Sequence, residues 1–288
     1  MRLDDQPESQ NVDDRRGSPG IVRAGGIGGL GLVAVLVLGL IFGVDPSTLL
    51  SIVEGQQQSA PQQQAPMRGE GQQSGGQQQA GTEDSQRRFV AQVLGSTESV
   101  WTDVFNQVGR RYQPPTLVLF AGAAQSACGL AQTATGPFYC PRDRKVYLDT
   151  AFFRDMQTKL GAPGDFPRAY VIAHEVGHHV QELLGTADLS ASRSNESSVR
   201  IELQADCFAG VWANRANATN HILEQGDIEA GINAATAIGD DRLQQRSRGY
   251  VVPDSFTHGS SAQRARWFGR GVQTGDPRQC DTFGASQL

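Results

Sequence analysis

The chain has 288 residues, a net charge of −5 and four cysteines. No cluster of lysines or arginines persists along it, which argues against a nucleic-acid partner. Its composition divides it: residues 1–84 lack the apolar content of a packed core, whereas residues 85–288 suffice for a single domain.

Residues 1–23 are polar, lack an apolar period and read as a disordered tail carrying Arg2, Arg15, Arg16 and Arg23. Residues 24–44 hold no charge and are mostly Gly, Leu, Val, Ile and Ala. A run of that length spans about 30 Å as a helix, enough for one transmembrane anchor. It is longer than a signal-peptide core and ends in Val44-Asp45-Pro46 rather than a small-residue cleavage site. Arginines before it, and none close after it, imply a cytoplasmic N-terminus and an extracytoplasmic remainder, a single-pass protein of the cytoplasmic membrane. Residues 45–84 are rich in Gln, Gly, Ser and Pro and read as a flexible linker.

From residue 85 the pattern changes. Phe89, Val90, Val93 and Leu94 mark one short helix; Val100, Trp101, Val104, Phe105 and Val108 mark a second. Thr116–Phe120, Phe138–Cys140 and residues 145–148 are strand candidates, and residues 150–160 a helix. A further helix begins near Asp165-Phe166-Pro167, with Val171, Ile172, Val176, Val180, Leu183 and Leu184 spaced for one buried face. Later helices are expected over residues 199–213, 221–237 and 261–272.

The helix beginning near Asp165 contains His174-Glu175-Val176-Gly177-His178-His179. His174 and His178 are one turn apart and share a face, so two neutral imidazoles can bind one Zn²⁺. Glu175 lies beside the first ligand, where a carboxylate can take a proton from a water activated by the metal. Three of the five histidines fall within these six positions, which favours a site over a surface helix. His179 is about 100° round the helix from His178 and reads as a packing residue.

A catalytic zinc needs a third protein ligand. Glu202, in Ile201-Glu202-Leu203-Gln204-Ala205-Asp206, is the first candidate, with His258 as the alternative. Asp206 lies one turn on from Glu202 and can accept the outer N–H of a ligating histidine, fixing its tautomer. His258 also suits a contact to a developing oxyanion, or a cap on the helix that follows. The four cysteines suggest two disulfides among Cys128, Cys140, Cys207 and Cys280. Three pairings are open: Cys128–Cys140 would close a short loop, and Cys207–Cys280 would then tie the Glu202 helix to the C-terminal residues and remove Cys207 as a ligand.

His174–His179 followed by Glu202-Leu203-Gln204-Ala205-Asp206-Cys207-Phe208-Ala209-Gly210 resembles the bacterial neutral zinc metallopeptidase family and, more broadly, the gluzincins. Ala127-Cys128-Gly129, Gly136-Pro137-Phe138-Tyr139-Cys140-Pro141, Val146-Tyr147-Leu148-Asp149, His258-Gly259-Ser260-Ser261 and Cys280-Asp281-Thr282-Phe283 fit the same family, covering roughly residues 85–285. The resemblance implies an α+β zincin-like domain, mostly helical with a small sheet. It also implies one Zn²⁺ held by His174, His178 and Glu202, with Glu175 as the catalytic carboxylate. In zincins an edge strand beside the active helix binds extended substrate, and Lys145–Asp149 or Phe138–Cys140 would take that role. The expected function is therefore a membrane-anchored zinc metallopeptidase acting on peptides or proteins. The alternative is a catalytically inactive zincin-fold binding protein of the cell envelope.

Overall fold

A computed structural model describes residues 1–17, 74–132, 136–187, 189 and 194–288, with the backbone alone for residues 74–83. The apolar stretch 24–44 and most of the glutamine-rich linker lie outside the described residues. Among the described residues no helix is long and apolar enough to cross a membrane.

The elements run β1 (Val12–Asp14), α1 (Ser74–Gln107), β2 (Thr116–Phe120), β3 (Ala123–Ser126), β4 (Gly129–Gln132), β5 (Phe138–Cys140) and β6 (Lys145–Asp149). Six helices follow: α2 (Thr150–Thr158), α3 (Asp165–Leu184), α4 (Asn195–Asn220), α5 (Asp227–Ala237), α6 (Asp240–Arg248) and α7 (Ser261–Thr274). The result is a helical domain carrying two small sheets, in keeping with the α+β expectation.

The larger sheet has the order β1-β2-β6-β5, parallel except that β5 is antiparallel to β6. Alternation along its central strands divides the core. Leu117, Leu119, Val146 and Leu148 belong to the main core with the helices. Val118, Phe120 and Tyr147 belong to a smaller cluster with Ala124, Ala131 and Cys140. The hairpin β3–β4 contributes to that cluster, and the Cys128–Cys140 disulfide ties its turn to β5. The composition Ala-Ala-Gln-Ser and Gly-Leu-Ala-Gln has little β propensity, so this hairpin carries no strand signal in the sequence.

Three expectations need correction. The two helices read around Phe89 and Val100 are one helix, α1, which also extends back into the expected linker as far as Ser74. Gly95-Ser96-Thr97 resembles a break, but Gly95 serves a close approach. A Cβ there would sit 2.1 Å from the carbonyl oxygen of Pro7. Residues 1–17 are thus not a disordered tail. Leu3, Gln6 and Ser9 are buried, and β1 pairs with β2 in the register Val12↔Leu117 to Asp14↔Leu119. The sequence could not reveal this, because the contacts that dock the segment are made with residues beyond position 85. Lastly, Lys145–Asp149 is flanked by β2 and β5 and is not an edge; β5 is the edge strand on that side.

Helix α3 is buried nearly all round from Phe166 to Gln181, rather than along one face. Its polar side chains therefore need partners inside the protein. The C-terminal helix α7 begins with a capping box of Ser260 and Gln263, so the cap is not His258. His221 ends α4 in the left-handed conformation instead of starting the next helix.

Gly95→Val should lower stability by about 1–3 kcal/mol through overpacking against Pro7. Urea unfolding of the full chain measures it. Deleting residues 1–17 should remove the penalty, so the two changes should be non-additive. Strict additivity would mean that Gly95 does not serve this contact.

Candidate metal centre

Helices α3 and α4 pack closely at Gly177, where a Cβ would lie 3.0 Å from the Ala205 carbonyl oxygen. That approach brings the α4 carboxylates against the α3 imidazoles. His174 Nε2 lies 3.2 Å from Glu202 Oε2, and His178 Nε2 lies 3.6 Å from Glu202 Oε1. One potential ligand atom from each of the three residues falls within 4.8 Å of the others, and no other such cluster occurs among the described residues.

The outer imidazole nitrogens are both fixed. His174 Nδ1 donates to Asp206 Oδ1 at 2.9 Å. His178 Nδ1 donates to Gln181 Oε1 at 2.9 Å. The Gln181 amide cannot be reversed, because its Nε2 donates to the Ile201 carbonyl (2.8 Å) and to Gln204 Oε1 (3.0 Å). Gln204 Nε2 in turn donates to the carbonyl of Cys280, which is disulfide-bonded to Cys207. With both Nδ1 atoms acting as donors, both Nε2 atoms are left to face Glu202.

Asp206 is fully buried and is held by more than His174. Arg264, only 2% exposed, donates from Nε to Oδ2 (2.8 Å) and from Nη2 to Oδ1 (2.9 Å). The Tyr170 hydroxyl also donates to Asp206. Burial raises the Asp206 carboxyl, but Arg264 and His174 outweigh it and bring it down to about 2. Burial likewise pulls the His174 imidazole down, yet Asp206 and Glu202 push it up to about 10. Glu202 is raised by burial and drawn well below the usual carboxylate range by His178 and His174. Glu202 thus faces the two Nε2 atoms as a carboxylate. Two imidazole nitrogens and one carboxylate are a donor set that suits Zn²⁺.

Glu175 and the ligand triad border one cleft of about 420 Å³. Pro137, Phe138 and Tyr139 form part of its wall, so edge strand β5 runs beside the triad. His258 lines the same cleft. Asp240 organises its loop by accepting from the backbone N–H of Thr257 (2.7 Å), His258 (2.6 Å) and Gly259 (3.1 Å). His258 Nδ1 lies 3.3 Å from Asp240 Oδ1, a hydrogen bond that raises the imidazole pKa against the effect of burial. His258 is absent from the ligand cluster. His179 packs away from it, 3.0 Å from the Tyr139 hydroxyl and 2.6 Å from the Gln113 carbonyl. The cysteines pair as Cys128–Cys140 and Cys207–Cys280, so Cys207 is engaged.

The family model described as "Putative neutral zinc metallopeptidase" matches residues 1–283. The chain belongs to this family. The match begins at residue 1, so the zinc metallopeptidase family includes the docked N-terminal segment, which the motif resemblance did not reach. One relative is the uncharacterized protein YpfJ of Escherichia coli strain K12, 46% identical over 99% of this chain and all of that protein. Another is the uncharacterized protein Mb2605 of Mycobacterium bovis, 45% identical over 67% of this chain and 69% of that protein. No solved structure matches.

Sequence reasoning missed Gln181, Gln204, Asp240 and Arg264. Gln181 was within reach: it is three residues after His178 and shares its face. Arg264 carried only the signal of a cation in an otherwise apolar helix face.

Gln181→Leu should weaken zinc binding by about 10- to 100-fold while leaving the metal-free protein folded. Competition against a chelator checks it. Unchanged affinity would show that His178 needs no partner at Nδ1.

Proposed function

We propose that the chain is a zinc-dependent peptidase that hydrolyses peptide bonds in the cleft between β5 and α3. The observation that supports this reading best is the convergence of His174, His178 and Glu202 beside Glu175 in one open cleft. The three residues would hold the metal from one side and leave the cleft side for substrate and water. Zinc supplies a Lewis acid there, which polarises a carbonyl and acidifies water.

The other steps belong to the chain. Substrate extends along β5, whose outer edge is available for backbone hydrogen bonds. Phe138, Phe152, Val171, Leu189 and Ile201 make the cleft wall largely apolar, which favours substrates with a bulky apolar side chain next to the cleaved bond. Glu175 accepts the proton of the attacking water at its carboxylate and passes it to the departing amine nitrogen. In its imidazolium form, which the hydrogen bond from Nδ1 to Asp240 favours, His258 presents its Nε2 as a donor toward the oxygen that gains negative charge. Asp206 and Gln181 keep the imidazoles in place throughout.

Glu175→Ala should retain zinc at wild-type stoichiometry and lose hydrolysis of a peptide library. Retained hydrolysis would remove Glu175 from the mechanism. Absence of cleavage in the wild type as well, with zinc bound, would favour a binding protein on the same scaffold. His258→Ala should lower kcat by about 100-fold with little change in KM, as removal of an oxyanion donor does. A change in KM alone would assign His258 to substrate binding.

A further inference from the structure

Residues 1–17 precede the apolar stretch 24–44, and the peptidase domain follows it. A single crossing of the membrane by that stretch would separate them. In the structure they are one unit. Besides the three β1–β2 register pairs, Leu117 N donates to Asn11 O and Arg15 N donates to Leu119 O, each at 2.8 Å. Ser9 N donates to the Ala91 carbonyl at 2.9 Å. Glu98 accepts from Ser9 Oγ (2.6 Å) and from Asn11 Nδ2 (2.9 Å). Leu3 is buried in the main core, and Gln92 Nε2 donates to its carbonyl at 2.9 Å. Gly95 leaves the space that the Pro7 backbone fills. The receiving surface and the segment are therefore shaped for each other at both ends and in the middle. Two of the arginines that implied a cytoplasmic N-terminus are also engaged: Arg15 pairs with Asp13 and Arg16 with Asp14, each at 2.5 Å.

We propose that residues 1–17 and the peptidase domain lie on the same side of the membrane, so that the chain does not cross it once between them. A bilayer core is about 30 Å thick, whereas β1 and β2 share backbone hydrogen bonds. Return by a second crossing is closed: residues 45–73 are interrupted by Gln, Gly and Pro and contain no second apolar run of that length. Exchange of β1 between two copies does not relieve the constraint, because both copies insert the same way. The two disulfides place the shared side in an oxidising compartment. This inference does not rest on the peptidase reading, and either can fail without the other.

The test uses the full-length protein in membranes. Glu8→Cys and Ser286→Cys each place one thiol at an exposed position, one in each part. A membrane-impermeant maleimide is applied to right-side-out and to inverted vesicles. Labelling of both variants from the same face is expected. Labelling from opposite faces overturns the proposal. A second variant, Ser9→Cys with Glu98→Cys, is treated in intact cells with a short bis-maleimide. An intramolecular cross-link, absent from either single variant, is the expected result. Failure to cross-link, in protein whose native disulfides have formed, would also overturn it.

Discussion

The structure depends on a buried carboxylate. Asp206 has no exposed surface and yet binds three side chains on two other helices: His174 and Tyr170 on α3, and Arg264 on α7. Taking such a pair out of water is costly, and the cost is met only when every lone pair and proton has a partner. Here it is met, because Arg264 occupies both oxygens and also reaches the Ile238 carbonyl at 3.3 Å. Losing either member would strand the other in the core, a loss of about 3–5 kcal/mol. The pair thus fixes the angle between α3, α4 and α7. The orientation of one ligating imidazole follows from that angle.

The same logic governs the rest of α3. A helix buried on all sides normally carries only apolar residues. This one carries His174, Glu175, His178, His179 and Gln181 in succession. Three of the five, His174, His179 and Gln181, are hydrogen-bonded to other parts of the chain, and His178 is held by Gln181 of the same helix. Glu175 lines the cleft beside His174 and His178. Rigid support for the imidazoles and an open position for the carboxylate are what a hydrolytic site demands.

The sequence made the reactive residues legible and much of their support illegible. His174, Glu175 and His178 stand out because helix geometry turns a four-residue spacing into a shared face. Glu202 and Asp206 stand out for the same reason. Gln204 and Arg264 do not, since a glutamine or an arginine on a helix reads as solvated unless its tertiary partner is known. Strands β2 and β5 were visible from β-branched and aromatic residues, while the β3–β4 hairpin was not, because a disulfide and a small apolar cluster stand in for propensity. The sheet order could not be read at all. That order places β6 inside and gives the edge opposite β5 to a strand from the first seventeen residues.

The support for His174, His178 and Glu202 is also distributed in time. The imidazoles are made by residue 178, and the Glu202 carboxylate soon after. Arg264 and Cys280, on which Asp206 and Gln204 lean, are synthesised after all three. Domains consolidate as they leave the ribosome, N-terminal parts first. A nascent chain holding all three ligands would still lack the struts that orient them. In a chain assembled in this order the cluster of His174, His178 and Glu202 becomes rigid only after Arg264 and Cys280 have packed against it.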